Sequence, residues 1–250
     1  MRILRKVIAL CSAALTSTVL ASPVGAEIMP DHWHFLLGLS GGPTWTQAGE
    51  NQTFFLQPDV QKTYAANKNS QEFVSGEFLL GLQKNLNPYV TGQFGIAIAD
   101  ANATKLNGDI WEDADPAFNN FTYAYKINHV NVAMKGRIIS NTSYYGIQPY
   151  VSGSIGVGFN RAYDFSITPT ISEEIPAPPF SSNTKTALSF TLGAGIQKSL
   201  FDNWQVGIGY EFADWGSYSL GRAAGQTVNQ GLSLNHVYVQ QLQFTVIYIK

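Results

Sequence analysis

Eight stretches of this 250-residue chain alternate between apolar and small or polar residues with a strict period of two, and that period is the mark of β-strands. Phe35, Leu37, Leu39, Pro43 and Trp45 share one face of the first stretch. Val74, Phe78, Leu80 and Leu82 share a face of the second, and Val90, Phe94, Ile96 and Ile98 a face of the third. Val130, Val132, Met134 and Ile138 mark the fourth, and Val151, Ile155, Val157 and Phe159 the fifth. Leu188, Phe190, Leu192, Ala194 and Ile196 mark the sixth. Trp204, Val206, Ile208, Tyr210 and Phe212 mark the seventh, and Tyr238, Leu242, Phe244, Val246 and Tyr248 the last. The alternate positions are mostly Gly, Ser, Thr, Ala, Gln and Asn.

The connections alternate in length. Long segments near 46–71, 101–121, 164–185 and 216–232 take turns with short ones near Lys84–Pro88, Ser140–Gln148 and Ser199–Asn203. Long loops on one side and tight turns on the other are the pattern of transmembrane barrels, with an even strand count and both termini on the turn side, in the periplasm. The long loops read as irregular. The third holds Ile175-Pro176-Ala177-Pro178-Pro179, which favours extended chain. In the first, Thr53-Phe54-Phe55-Leu56 is placed to extend a strand above the membrane.

Alternation alone does not say which face points out, and composition decides it. Only 13% of the residues are charged, against about 25–35% on a soluble surface. Mean hydropathy is −0.03, which is expected where only every second residue meets lipid. The small, neutral face suits the interior of an eight-stranded barrel, which side chains just fill. The apolar face carries no charge in any of the eight stretches. Aromatic residues near the strand ends (Trp33, Phe35, Trp45, Tyr89, Tyr150, Trp204, Trp215 and Tyr248) read as interfacial girdles. The expected fold is all-β: an eight-stranded antiparallel up-and-down transmembrane barrel.

Residues 1–26 read as an export signal. Arg2, Arg5 and Lys6 precede an apolar run from Val7 to Leu20, and Val24-Gly25-Ala26 has the small-residue form of a cleavage site. The barrel domain then spans 27–250. The lone cysteine, Cys11, lies inside the signal, so no thiol chemistry is expected of the exported chain. The signal holds three of the 15 Lys and Arg and none of the 17 acids, leaving 12 bases against 17 acids, a net charge of −5. No basic surface for nucleic acid is expected.

With strands, loops and signal taken together, the chain resembles the OmpA/OmpX-type superfamily of small outer-membrane barrels over about 33–250. The last strand, with Leu242, Phe244, Val246 and Tyr248, matches the alternation of the family's C-terminal assembly signal, then departs from it by adding Ile249-Lys250. The resemblance implies outer-membrane lipid, lipopolysaccharide and the outer-membrane assembly machinery as partners, with an extracellular ligand at the loops. It implies no cofactor, and a part in envelope integrity, adhesion or host interaction.

Four charges fall on the inward face: Glu77, Lys135, Arg137 and Glu211. Buried charges must be paired, so these are expected to meet across the lumen. Gln83, Gln93, Gln197, Gln205 and Gln243 are placed to complete a polar plug. OmpA-type barrels carry such a network. One use for it is a gate, in which swapped partners open a small ion path; a static polar core accounts for the same pattern, and a narrow porin-like channel for small solutes or small apolar molecules is the alternative function. An enzyme acting on lipid A or on peptides needs a His with a nucleophile and an acid, or an Asp/His pair activating water. His129 has no Ser two residues away on its face, and His236 has Ser233 three residues before it. His32-Trp33-His34 offers two metal ligands without a third. Asp109, Glu112, Asp113 and Asp115 form an acidic loop without a calcium-loop pattern. The expectation is a non-enzymatic outer-membrane protein without catalytic or metal residues.

Overall fold

A computed structural model describes residues 32–250; the signal and its cleavage site at 24–26 lie outside the described residues. Strands follow one another as β1 (His34–Thr46), β2 (Gln52–Gln57), β3 (Val60–Ala66), β4 (Gln71–Asn87), β5 (Val90–Glu112) and β6 (Asn119–Ser140). Then come β7 (Ile147–Pro169), β8 (Asn183–Phe201), β9 (Trp204–Asp214), β10 (Tyr218–Ser219), β11 (Ser233–Leu234) and β12 (Tyr238–Ile249). Eight of these close a ring in the order β1-β4-β5-β6-β7-β8-β9-β12. The last joint is antiparallel, from Leu36↔Ile249 to Thr46↔Val239. Closure leaves no unpaired edge in the ring, which is what a sheet needs to sit in lipid. One end, the turn rim, carries the short turns and the described ends of the chain. The other, the loop rim, carries the long connections.

The facing is as expected. Leu39, Ile96, Met134, Ile155, Leu192 and Phe244 are exposed on the outer wall, while Ser40, Gln93, Lys135, Thr191 and Gln243 are buried within. Two of the expected girdle residues are not on that wall. Tyr150 and Trp215 are buried: Tyr150 falls on the inward phase of β7, and Trp215 has left β9 and folded over the lumen. The inner face is not wholly polar either, since Leu36, Leu79, Ala97 and Ile247 form a small apolar cluster inside.

Two of the long connections, 46–71 and 101–121, are largely strand, whereas 170–182 and 220–232 hold only turns, bends and an isolated bridge, Phe180 to Ala223. Most of 101–121 is strand, because β5 and β6 stay paired from Val90↔Ser140 up to Trp111↔Asn119. These two and β7 have 22 or 23 residues, whereas β9 has 11 and β12 has 12, so the ring has a tall wall and a low one. Above the lipid band the polarity of the tall wall inverts. Lower on β6, Val130, Val132, Met134 and Ile138 face out, and His129, Asn131, Lys135 and Arg137 face in. Higher up, Phe121, Tyr123, Tyr125 and Ile127 are buried inside, and Thr122 and Lys126 are exposed outside. Apolar-out below and apolar-in above is what one strand needs if it leaves hydrocarbon and enters water.

The inverted section forms a dome. The β2–β3 hairpin, which includes the expected Thr53–Leu56 strand, pairs along the upper part of β5 from Lys62↔Glu112 to Ala66↔Gly108. From the low wall, segment 215–237 folds across the mouth as the β10–β11 hairpin. Tyr64, Phe165, Phe180, Trp215, Tyr218 and Leu234 belong to the resulting apolar core. Tyr64 stacks on Phe54 at 5.4 Å and meets Phe180 at the same centroid distance. Burial, then the nearby Glu112 carboxylate, push its phenol above the usual range. Backbone and side chains lace the loops together. Thr227 N donates to Leu56 O at 3.1 Å, and Gly221 N to Ser181 O at 2.8 Å. Asn235 donates through N and Nδ2 to Glu50 at 2.8 and 2.9 Å.

Candidate functional site: the lumen and the dome

At mid-barrel, Lys135 projects inward from β6 between carboxylates carried by β4 and β9. Its Nζ donates to Glu77 Oε1 at 2.7 Å and Oε2 at 2.8 Å, and to Glu211 Oε2 at 2.9 Å. All three side chains are nearly out of solvent contact, with exposures of 1, 9 and 4%. Gln243 Nε2 donates to the free Glu211 oxygen at 3.3 Å and to Gln241 Oε1 at 3.1 Å. The arrangement spans the lumen and satisfies both acids.

Arg137 is not part of it. Two residues further along β6, about 6.6 Å by strand rise, its guanidinium lies 4.3 Å over the Tyr150 ring. Its Nε and Nη1 have no hydrogen-bond partner among the described residues. Tyr150 reaches sideways over two glycines. A methyl on Gly195 would come within 2.6 Å of the Tyr150 hydroxyl, and one on Gly209 closer still. The ring is seated where the neighbouring strands have no side chains. Sequence reasoning counted Arg137 with the ion network because charge must be paired, and missed that an aromatic face can hold a guanidinium. The glycines opposite Tyr150 were the available signal.

Of the expected glutamine plug, Gln93 Nε2 donates to Gln83 Oε1 at 2.7 Å and Gln197 Nε2 to Gln205 Oε1 at 3.1 Å. These pairs sit towards the turn rim. Towards the loop rim, His129 stacks on Trp215, centroids 4.4 Å apart and planes within 7°. Its Nδ1 lies 2.6 Å from Asn160 Oδ1, and Asn160 Nδ2 donates to the carbonyls of Trp215 and Ser217 at 2.7 and 2.9 Å. This lid separates the polar lumen from the apolar dome. Between lid and ion triad lies a cavity of about 20 Å³, bordered by Glu77, Asn131, Glu211 and Gln241, room for about one water.

The other expected candidates fall elsewhere. His236 Nδ1 lies 2.7 Å from Asp214 Oδ2, whose other oxygen accepts from Gly216 N at 2.8 Å. The imidazole is stacked on exposed Tyr238, planes within 3°, so it stands on the outer wall, not in a cleft. Asp109 and Glu112 are strand residues; Glu112 pairs with Lys62 at 2.6 Å, and Asp115 caps a single turn by accepting from Ala117 N at 2.9 Å. No group of three His, Cys, Asp or Glu side chains able to hold a metal occurs among the described residues. In the dome, a cavity of about 150 Å³ opens between Leu56, Val60, Ala177, Pro178 and Ala223.

No protein-family model and no curated protein sequence matches the chain. Among solved structures, the outer-membrane protein OprG of Pseudomonas aeruginosa is 12% identical, with a TM-score of 0.48 over 87% of this chain and 97% of that one. Neisserial surface protein A is 10% identical, with a TM-score of 0.42 over 86% of this chain and 96% of that one. Ail, the attachment invasion locus protein of Yersinia pestis, is 14% identical, with a TM-score of 0.36 over 88 and 100%. These likenesses carry no argument about activity. The closed ring of eight strands and the inversion of its polarity decide the class. The chain is a transmembrane β-barrel. Its lumen holds an ion triad and is covered by a stacked lid, beneath a packed dome.

Proposed function

We propose that this barrel is a non-enzymatic surface protein of the outer membrane, with the dome outside, both termini in the periplasm, and contact with the surroundings as its work. The observation that carries the reading is the double closure of the axis. Lys135 is clamped by two carboxylates, and the His129–Trp215 stack with the dome core stands above it. A barrel closed this way offers its surroundings a folded surface instead of a path. The tip of the third long connection is part of that surface, with Ile175 88% exposed beside the proline run. Against catalysis, His129 meets an amide, and the His236–Asp214 pair stands on the outer wall, its imidazole stacked on exposed Tyr238.

Two experiments test this. In cells, Ile175→Cys should react with a membrane-impermeant maleimide, and Tyr144→Cys in the turn 141–146 should not; the reverse labelling would invert the orientation. In a strain lacking the protein, the chain with residues 172–178 replaced by Gly and Ser separates the roles. Loss of surface attachment with normal detergent resistance marks adhesion or host contact, whereas loss of resistance alone marks envelope integrity. Restoration of both by the altered chain would remove the dome tip from the account.

A further inference from the structure

Three cations stand together on the outer wall where the apolar band ends. Going up β7, the outward residues Val157 and Phe159 give way to Arg161; on β6, Val132 and Val130 give way to Asn128 and Lys126. On β5, Ile98 gives way to Asp100 and, past a bulge, to Lys105. Register brings them side by side on adjacent strands: Lys105 is directly opposite Lys126, Lys126 opposite Tyr163, and Asn128 opposite Arg161. The Arg161 guanidinium lies 4.7 Å over the Tyr163 ring, which holds its donor edge at the surface. Lys126 meets Asp164 at 3.1 Å, both half exposed. No carboxylate of the described residues pairs with Lys105 or Arg161. Two like charges opposite each other on neighbouring strands are unfavourable, and Asp100 and Asp164 leave the group one positive charge in excess.

We propose that Lys105, Lys126 and Arg161 bind the phosphate groups of an anionic lipid headgroup in the leaflet at the loop rim. Arg forks and Lys ammonium groups suit phosphate oxygens. A lipid fits better than free phosphate because Arg161 follows Phe159 on the outward face, and Lys126 and Lys105 stand one outward residue or a bulge further on, past Asn128 and Asp100, above the apolar band of Val130 and Ile98 where acyl chains of the same molecule would lie. The proposal rests on the membrane placement and on no role of the dome.

The test uses the full barrel domain folded in phosphatidylcholine vesicles, with or without lipid A in both leaflets, so that orientation does not enter. Lipid A should raise the thermal midpoint. Each of Lys105→Gln, Lys126→Gln and Arg161→Gln should weaken the apparent affinity about fivefold, the equivalent of one cation near an anionic surface. The triple variant should show no response, and Lys68→Gln, a control in the 67–70 connection, a full one. Lipid A stripped of its phosphates should have no effect. An equal response from parent and triple variant would overturn the site, as would a full response to inorganic phosphate alone. The single variants decide the matter if the triple variant does not fold. Failure here with the expected Ile175→Cys labelling would refute the lipid site and leave the surface reading standing.

Discussion

Replacing Lys135 by Met removes one cation from between two acids while keeping the side chain's length and apolar stem. Three charge-assisted contacts of 2.7, 2.8 and 2.9 Å are lost, and Glu77 and Glu211 are left facing each other out of solvent. Breaking one buried ion pair costs about 3–5 kcal/mol. Here one substitution strands two carboxylates, partly offset by proton uptake, so a loss of about 5 kcal/mol is expected. Urea unfolding of the barrel in lipid vesicles, followed by tryptophan fluorescence, measures it. The triple change Glu77→Gln, Lys135→Met and Glu211→Gln leaves no carboxylate without a cation and should recover most of the loss. In double-mutant cycles, Glu77→Gln should couple to Lys135→Met by about 1–3 kcal/mol and to Arg137→Gln by much less, because only the first pair is in contact. A cost for Lys135→Met below about 1 kcal/mol would show that the acids are solvated, and the triad would not be a closure.

Leu80→Arg and Ile208→Arg each place a charge on the lipid face, and each should cost about 2–4 kcal/mol if near the midplane; normal insertion of both into bilayers would reverse the facing. Gly209→Ala should dislodge Tyr150 and with it the seat of Arg137, lowering stability by about 1–3 kcal/mol as overpacking does, and an unchanged urea midpoint would contradict that packing. The raised Tyr64 phenol implies stability in the dome that is complete below the ordinary tyrosine range and lost as pH rises beyond it. A part of the tyrosinate absorbance should therefore appear only together with dome unfolding in alkali, and Tyr64→Phe should postpone the transition. Ionisation of all tyrosines at the ordinary pH with the dome intact would contradict it.

The ring was legible because lipid imposes one rule on every strand. Leu80, Ile96, Met134 and Ile155 had to be apolar and most of their neighbours small or polar, so period two carried both the strands and their facing. The dome was missed because the same period continues with its phase reversed. From Phe121 to Ile127 the apolar residues occupy what is the polar phase further along the strand, and a reading that followed one face took the segment for a loop. Trp215 was misplaced for a related reason: an aromatic next to a strand end fits a girdle or a lid equally well until the low wall is seen to end at Asp214. The inward charges were legible as a set, but their partners were not. Pairing depends on how far each side chain reaches across the lumen, and on Tyr150 lying where Gly195 and Gly209 leave space.

Single-channel recording of the folded barrel in a planar bilayer bears most directly on the central claim that the axis is shut. The account predicts a silent parent across the voltage range. Steady conductance from the unaltered chain, unchanged when Lys135 is replaced, would mean that neither the triad nor the His129–Trp215 lid closes the lumen, and would contradict it.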